Sequence, residues 1–208
     1  MMKRTLLILL ASVGIARAQE QFPGGEPVRR RAPEFSRWVI TVNPQKSEGG
    51  NAAAFDRKVI VTKTREILHE RISNHSGQQR ERWVLGRFQY SQFGPKKEFL
   101  PFTRRSISPE GDPDRYVDYS ATDFPGFEWV SPEYFTGIKK ANGRECLVYS
   151  KGDMTAFVAL DSRLPVGLVK DGKQRIYEFQ PAPQSVLTPP PAVMEDYRKR
   201  AGAPAPKD

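Results

Sequence analysis

The chain has 208 residues, a mass of 23.6 kDa, a mean hydropathy of −0.59 and a net charge of +9. That is one domain with tails, and it excludes a polytopic membrane protein. One Cys and two His exclude an internal disulfide, any metal site with two Cys ligands and any His-rich metal cluster.

The first 18 residues read as an export signal. Lys3 and Arg4 precede the apolar run Thr5 to Ile15, and Ala16-Arg17-Ala18 places small residues two apart before Gln19. Cleavage between Ala18 and Gln19 is expected. The run is shorter than the roughly 20 apolar residues of a membrane span, and no later segment is long and apolar enough, so no transmembrane span is expected after cleavage. Cleavage removes Lys3, Arg4 and Arg17 and no acid, so the net charge falls from +9 to +6. The expected location is periplasmic or secreted. There a basic balance suits anionic envelope polymer or lipid headgroups, and nucleic acid is not an expected partner.

Residues 19–36 hold three prolines, two glycines and Arg29-Arg30-Arg31 without periodicity. They read as a disordered basic arm. Residues 37–180 read as an antiparallel β domain. Arg37 to Val42 is the first strand, stopped at Asn43-Pro44, and residues 45–51 form a loop. Residues 58–72 read as one bent strand or two, with Val59 and Val61 on one face and Ile60, Leu68 and Ile72 on the other; 64–72 also suits a helix. Asn74 to Gly77 is a turn leading to a strand over 80–93. That strand sets Val84, Phe88 and Tyr90 against Trp83 and Leu85 on the other face. Phe99 to Phe102 is a short strand, 104–113 a loop, and Tyr116 to Tyr119 a weak strand. Phe124-Pro125-Gly126-Phe127 matches a type II turn.

Asn142-Gly143 and Asp171-Gly172 are hairpin signals, because both central positions of a type I′ turn require φ > 0. The first sets Lys140 opposite Glu145, Ile138 opposite Leu147 and Thr136 opposite Tyr149. The second sets Leu168 opposite Arg175 and Val166 opposite Tyr177. Ile138, Leu147, Tyr149, Val166, Leu168, Tyr177 and Phe179 are therefore the expected apolar lining. With Met154 to Leu160 between the hairpins, residues 134–180 form a meander of about five strands. Residues 181–202 read as a Pro-rich link and a short helix that must dock on the sheet, since it is too short to be stable alone; 203–208 are tail. The fold class is mainly β, a curved antiparallel sheet or half-barrel with a short C-terminal helix.

The catalytic inventory is thin. His75 sits in a turn and His69 among charged strand residues; Cys146 lies mid-strand beside Val148, as an inert core thiol would. Asp112, Asp114 and Asp118 lack the spacing of a Ca²⁺ loop. No G-x-S-x-G, H-E-x-x-H or phosphate-binding loop occurs. No cofactor or metal is expected, and an exported hydrolase is the minor reading. The 22 aromatics are core material that leaves room for a cavity with an apolar ligand.

The stretch Met154 to Phe179 resembles periplasmic lipoprotein-carrier proteins of the LolA and LppX type. Asp161, Leu164, Pro165, Asp171-Gly172, Tyr177 and Phe179 fill their strand–link–strand–turn–strand pattern, and the preceding hairpin fits it too. The resemblance implies an open half-barrel, lined by apolar side chains and lidded by helices, that binds acyl chains without catalysis. The chain departs from it in lacking an N-terminal amphipathic helix and in placing Ser162-Arg163 in the link. The expected function is an exported, non-catalytic protein holding lipid or a lipidated partner. The alternative is an envelope module that binds anionic polymer through basic segments.

Overall fold

The computed structural model describes residues 21–44, 57–74, 76–93, 98–102 and 122–202. The expected signal with Ala18 and Gln19, the loops 45–51 and 104–113, the strand at Tyr116 to Tyr119, His75, and Asp112, Asp114 and Asp118 lie outside the described residues.

Among the described residues eleven strands form one open antiparallel sheet: β1 (Phe35–Pro44), β2 (Arg57–Thr64), β3 (Ile67–Asn74), β4 (Gln79–Leu85), β5 (Phe88–Phe93), β6 (Glu98–Phe102), β7 (Phe135–Ala141), β8 (Arg144–Lys151), β9 (Met154–Ala159), β10 (Pro165–Lys170) and β11 (Lys173–Gln180). Their order is β6-β5-β4-β3-β2-β1-β11-β10-β9-β8-β7, so β6 and β7 are the edges. Two meanders thus join along β1 and β11, whose registers run Arg37 opposite Gln180 to Pro44 opposite Lys173. The fold is mainly β with one C-terminal helix, α1 (Pro191–Ala201). No described helix is long and apolar enough to cross a membrane.

The two hairpin signals make the turns expected of them. Asn142 and Gly143 have φ of 49° and 77°, Asp171 and Gly172 of 50° and 68°. Lys140 opposes Glu145, Ile138 opposes Leu147, and Leu168 opposes Arg175. Beyond these pairs two bulges change the register. One sets Phe135, not Thr136, opposite Tyr149. The other lies between Pro165 and Gly167, leaving Val166 without a partner in β9.

Two further reversals alter the expected faces. Arg65, at φ 54°, turns β2 into β3, and Gly86, at φ 56°, turns β4 into β5. Residues 64–72 are therefore not helical. Val59, Val61, Leu68 and Ile72 share the front face, with Ile60 behind them. Trp83, Leu85, Phe88 and Tyr90 share the back face, and Val84 faces front. A change of direction inside an apolar run resets the alternation by which faces are assigned.

The back face beside β4 and β5 receives α1. Val193 is buried against Trp83, Leu85 and Tyr90, with Met194 and Tyr197 packed beside it. Pro191 opens the helix, Arg198, Lys199 and Arg200 occupy its last turn where the dipole favours cations, and Gly202 ends it at φ 64°. The Pro-rich link is tied down where the Leu187 amide donates to Thr64 Oγ1 at 2.9 Å.

Candidate functional site

The front face carries the larger core. Trp38, Val61, Leu68, Val84, Leu147, Tyr149, Val158 and Leu168 are among its buried residues, so the apolar surface runs from β4 across β1 and β11 to β8. A single sheet face this wide must be covered. Among the described residues neither a second sheet nor α1 covers it. Two segments without regular strands do, residues 22–34 and 122–134.

The first segment corrects the expectation of a disordered arm. Phe22 packs edge-on against Phe135 at 5.6 Å and against Tyr149 at 6.4 Å, and Val28 and Ala32 are buried. Such partners, more than 110 residues away, leave no periodic trace in the segment's own sequence. Arg29 donates its amide to the Arg163 carbonyl at 2.8 Å, and Arg31 pairs with Asp123 at 2.9 Å. The Arg triplet is thus built into the cover rather than held out on an arm.

The second segment sets Phe124 against Trp38 at 5.4 Å and Phe179 at 6.0 Å, and Phe127 against Tyr177 at 5.5 Å. Its expected turn is present: the Phe127 amide donates to the Phe124 carbonyl at 3.3 Å, with Gly126 at φ 98°.

Asp123 joins the two segments to the sheet. Its carboxylate accepts from Lys63 Nζ at 2.6 Å, from the Ala32 amide at 2.8 Å and from Arg31 at 2.9 Å. Lys63 also donates to the Ala32 carbonyl at 2.9 Å. The Tyr149 hydroxyl donates to the Pro27 carbonyl at 3.1 Å. Burial pushes the Tyr149 phenol up to about 12, with Arg163 pulling the other way.

Of the seven expected lining residues, Leu147, Tyr149, Leu168 and Tyr177 are buried on the front face, with Phe179 half-buried beside them. Val166 is not there. The bulge turns it to the back, where it packs with Cys146 and Ala159. Ile138 faces forward opposite Leu147 but lies on the edge strand β7, 36% exposed. The cavity expected over this surface is instead largely filled by the chain's own Phe22, Val28, Phe124, Phe127 and Val130.

Polar groups missed by alternation lie on the same face. Glu70 and Arg82 pair at 3.2 Å with both side chains almost wholly buried. They line a hollow of about 50 Å³ with Arg57, Arg175 and the walls Ile40, Val59 and Ile72. A charged residue at an inward position of an apolar strand was the available signal, in Lys63, Glu70 and Arg82 alike.

The nucleophile and base candidates are not brought together. Cys146 is buried on the back face, its thiol pushed up by burial, with Sγ near the Ala141 and Arg144 carbonyls. His69 stacks on Trp83 at 4.1 Å and meets Glu81 at 3.2 Å; burial lowers its pKa. Among the described residues no group of three metal-ligating side chains occurs.

No protein-family model matches the chain, and no curated protein matches it in sequence. Its structure is similar to the crystal structure of the Mycobacterium tuberculosis lipoprotein LppX, at a TM-score of 0.38 and 9% identity over 74% of this chain and 89% of that one. It is also similar to the LolA superfamily protein NE2245 from Nitrosomonas europaea, at a TM-score of 0.39 and 12% identity over 76% of this chain and 90% of that one.

Proposed function

We propose that the protein is an exported, non-catalytic carrier that holds the acyl chain of a lipid or lipidated partner against the front face of its sheet. One observation carries this reading: a continuous apolar face spanning both meanders is covered, among the described residues, by two irregular segments. Export is supported by Lys3-Arg4, the apolar run Thr5 to Ile15 and Ala16-Arg17-Ala18.

The energetics favour an exchangeable cover. Burying an acyl chain of about twelve methylenes contributes roughly 10 kcal/mol at about 0.8 kcal/mol each. Burying a large apolar side chain contributes about 1.5–3 kcal/mol, so the five that the cover supplies, Phe22, Val28, Phe124, Phe127 and Val130, contribute an amount of the same size. Replacing one by the other is close to balanced, as a carrier that must release its cargo requires.

The test is recovery of the mature chain from its native envelope, solvent extraction and mass spectrometry, paired with titration of the lipid-free chain by a fluorescent fatty acid. About one acyl lipid per chain, or saturable uptake of the probe, is expected. Absence of both overturns the reading.

A further inference from the structure

The two covering segments do not close fully on each other. Between them lies a hollow of about 180 Å³, walled by residues 26–30 on one side and by Thr122 and residues 127–131 on the other. Its walls divide by chemistry. Val28, Phe127 and Val130 are buried, while Glu26, Arg29, Arg30 and Glu128 are exposed. The hollow thus has an apolar floor and a rim of two guanidiniums and two carboxylates.

The backbone under the rim is fixed. The Pro27 carbonyl accepts from the Tyr149 hydroxyl at 3.1 Å, and the Arg29 amide donates to the Arg163 carbonyl at 2.8 Å. The Arg30 carbonyl accepts from the Asp123 amide at 2.8 Å and from Thr122 Oγ1 at 2.9 Å. The charged side chains above are not spent on one another. Among the described residues Glu26, Arg29 and Arg30 make no ion pair and no side-chain hydrogen bond. Glu128 gives one carboxylate oxygen to the Gly126 amide at 2.7 Å. On the same wall Ser131 Oγ is buried without a protein partner, uncommon for a hydroxyl that can both donate and accept.

A rim of balanced charge narrows the ligand. A lone anion would meet Glu26 and Glu128, and a lone cation would meet Arg29 and Arg30. A neutral apolar body would leave the rim charges unanswered while shielding them from water. A compact apolar body that carries both charges meets none of these objections. An engineered cavity of about 150 Å³ takes one benzene, so this hollow has room for a single phenyl or branched aliphatic group with its polar end at the rim.

We propose that the crevice between the covering segments binds a free α-amino acid with an apolar side chain. Arg29 and Arg30 take its carboxylate, Glu26 and Glu128 its ammonium, and Val28, Phe127 and Val130 its side chain. Guanidinium suits the carboxylate because it offers two parallel N–H donors. The site is independent of the acyl-carrier reading, since its walls belong to the cover and its ligand carries no acyl chain. Each wall comes from a different segment, so a bound amino acid ties the two together and stabilises the chain by mass action.

The test is calorimetric titration of the mature chain with four ligands. Phenylalanine is compared with phenylalanine amide, which lacks the anion, N-acetylphenylalanine, which lacks the cation, and glycine, which lacks the side chain. Phenylalanine is expected to bind at least about tenfold more tightly than each of the others at low salt, and to raise the melting midpoint. Its preference over the two blocked forms is expected to shrink as salt rises. The E26Q/R29Q/R30Q variant is expected to lose that preference. Absence of phenylalanine binding at millimolar concentration, equal affinity for the blocked forms, or an undiminished preference in the variant overturns the proposal. If the variant does not fold, nuclear Overhauser contacts in the unaltered chain decide. Contacts from the ligand ring to the methyl groups of Val28 and Val130 uphold the crevice, and ring contacts confined to methyl groups elsewhere overturn it.

Discussion

Lys63 and Asp123, sixty residues apart, meet at 2.6 Å with side chains only 8% and 1% exposed. Lys63 belongs to the sheet and Asp123 to the cover, and the Asp123 carboxylate also takes the Ala32 amide of the other covering segment. One carboxylate thus fixes both segments to β2.

Breaking a buried pair from one side strands the remaining charge, which costs about 3–5 kcal/mol. Lys63→Met leaves Asp123 with Arg31 and the Ala32 amide; Asp123→Asn leaves Lys63 with the Ala32 carbonyl. Each single variant is expected to lose stability in that range in urea unfolding, and the double replacement by less than the two together. Additive losses would show that the two groups are not coupled.

Gly126 combines positive φ with a close approach. A Cβ there would meet Leu168 Cδ2 at 3.0 Å, and Leu168 is fully buried. Gly126→Ala is expected to cost about 2 kcal/mol or more, from the left-handed backbone and the displaced leucine together. Gly143→Ala is the comparison, at φ 77° with nothing within 4 Å of the added carbon. It is expected to lose only the backbone part, about 1 kcal/mol. Equal unfolding midpoints for the two variants would remove the steric share.

Both glycines were legible in the sequence, because Pro-Gly and Asn-Gly specify their turns locally. So were the five-strand meander and α1, for the same reason: Pro191 and Gly202 mark helix ends without reference to the rest of the chain. What stayed hidden depends on distant partners. The reversal at Arg65 carries no glycine, and the bulge at Val166 shows only in the register of β10 on β9. Residues 22–34 read as disordered from their prolines and glycines, while Phe135 and Tyr149, which order them, lie on β7 and β8. That Arg57 and Arg175 stand level on either side of Val42 emerges only when the registers of β2 and β11 on β1 are combined.

Tyr149 gives an alkaline signature. Its phenol ionises near about 12 in the fold and near about 10 in an unfolded chain. The unfolded state therefore releases the proton first. Its contribution is complete below about pH 10, falls by an order of 2–3 kcal/mol between about pH 10 and 12, and is then constant. Tyr149→Phe also gives up the bond to the Pro27 carbonyl, a loss of about 1 kcal/mol at neutral pH. The difference in unfolding free energy between the unaltered chain and Tyr149→Phe is expected to fall across that window and to change sign, so that above about pH 12 the phenylalanine variant is the more stable. A difference that holds constant to pH 12 would place the phenol in water.

The helix α1 closes the back face at one point. Val193 is 1% exposed and sits over Trp83, Leu85 and Tyr90. Helix this short has little stability of its own, so its order derives from that contact. Val193→Ala is expected to cost about 1–3 kcal/mol through the cavity it leaves. Removing residues 191–208 uncovers Trp83, which also stacks on His69. The shortened chain is then expected to show red-shifted tryptophan emission and to bind an apolar dye. The exposed pairs Glu195–Lys199 and Asp196–Arg200 span single turns of the same helix, and surface pairs of this kind contribute little. Replacing Lys199 and Arg200 by Ala is therefore expected to leave the unfolding midpoint almost unmoved. If those replacements lowered stability as much as Val193→Ala, the helix would be held by its own charges rather than by the sheet.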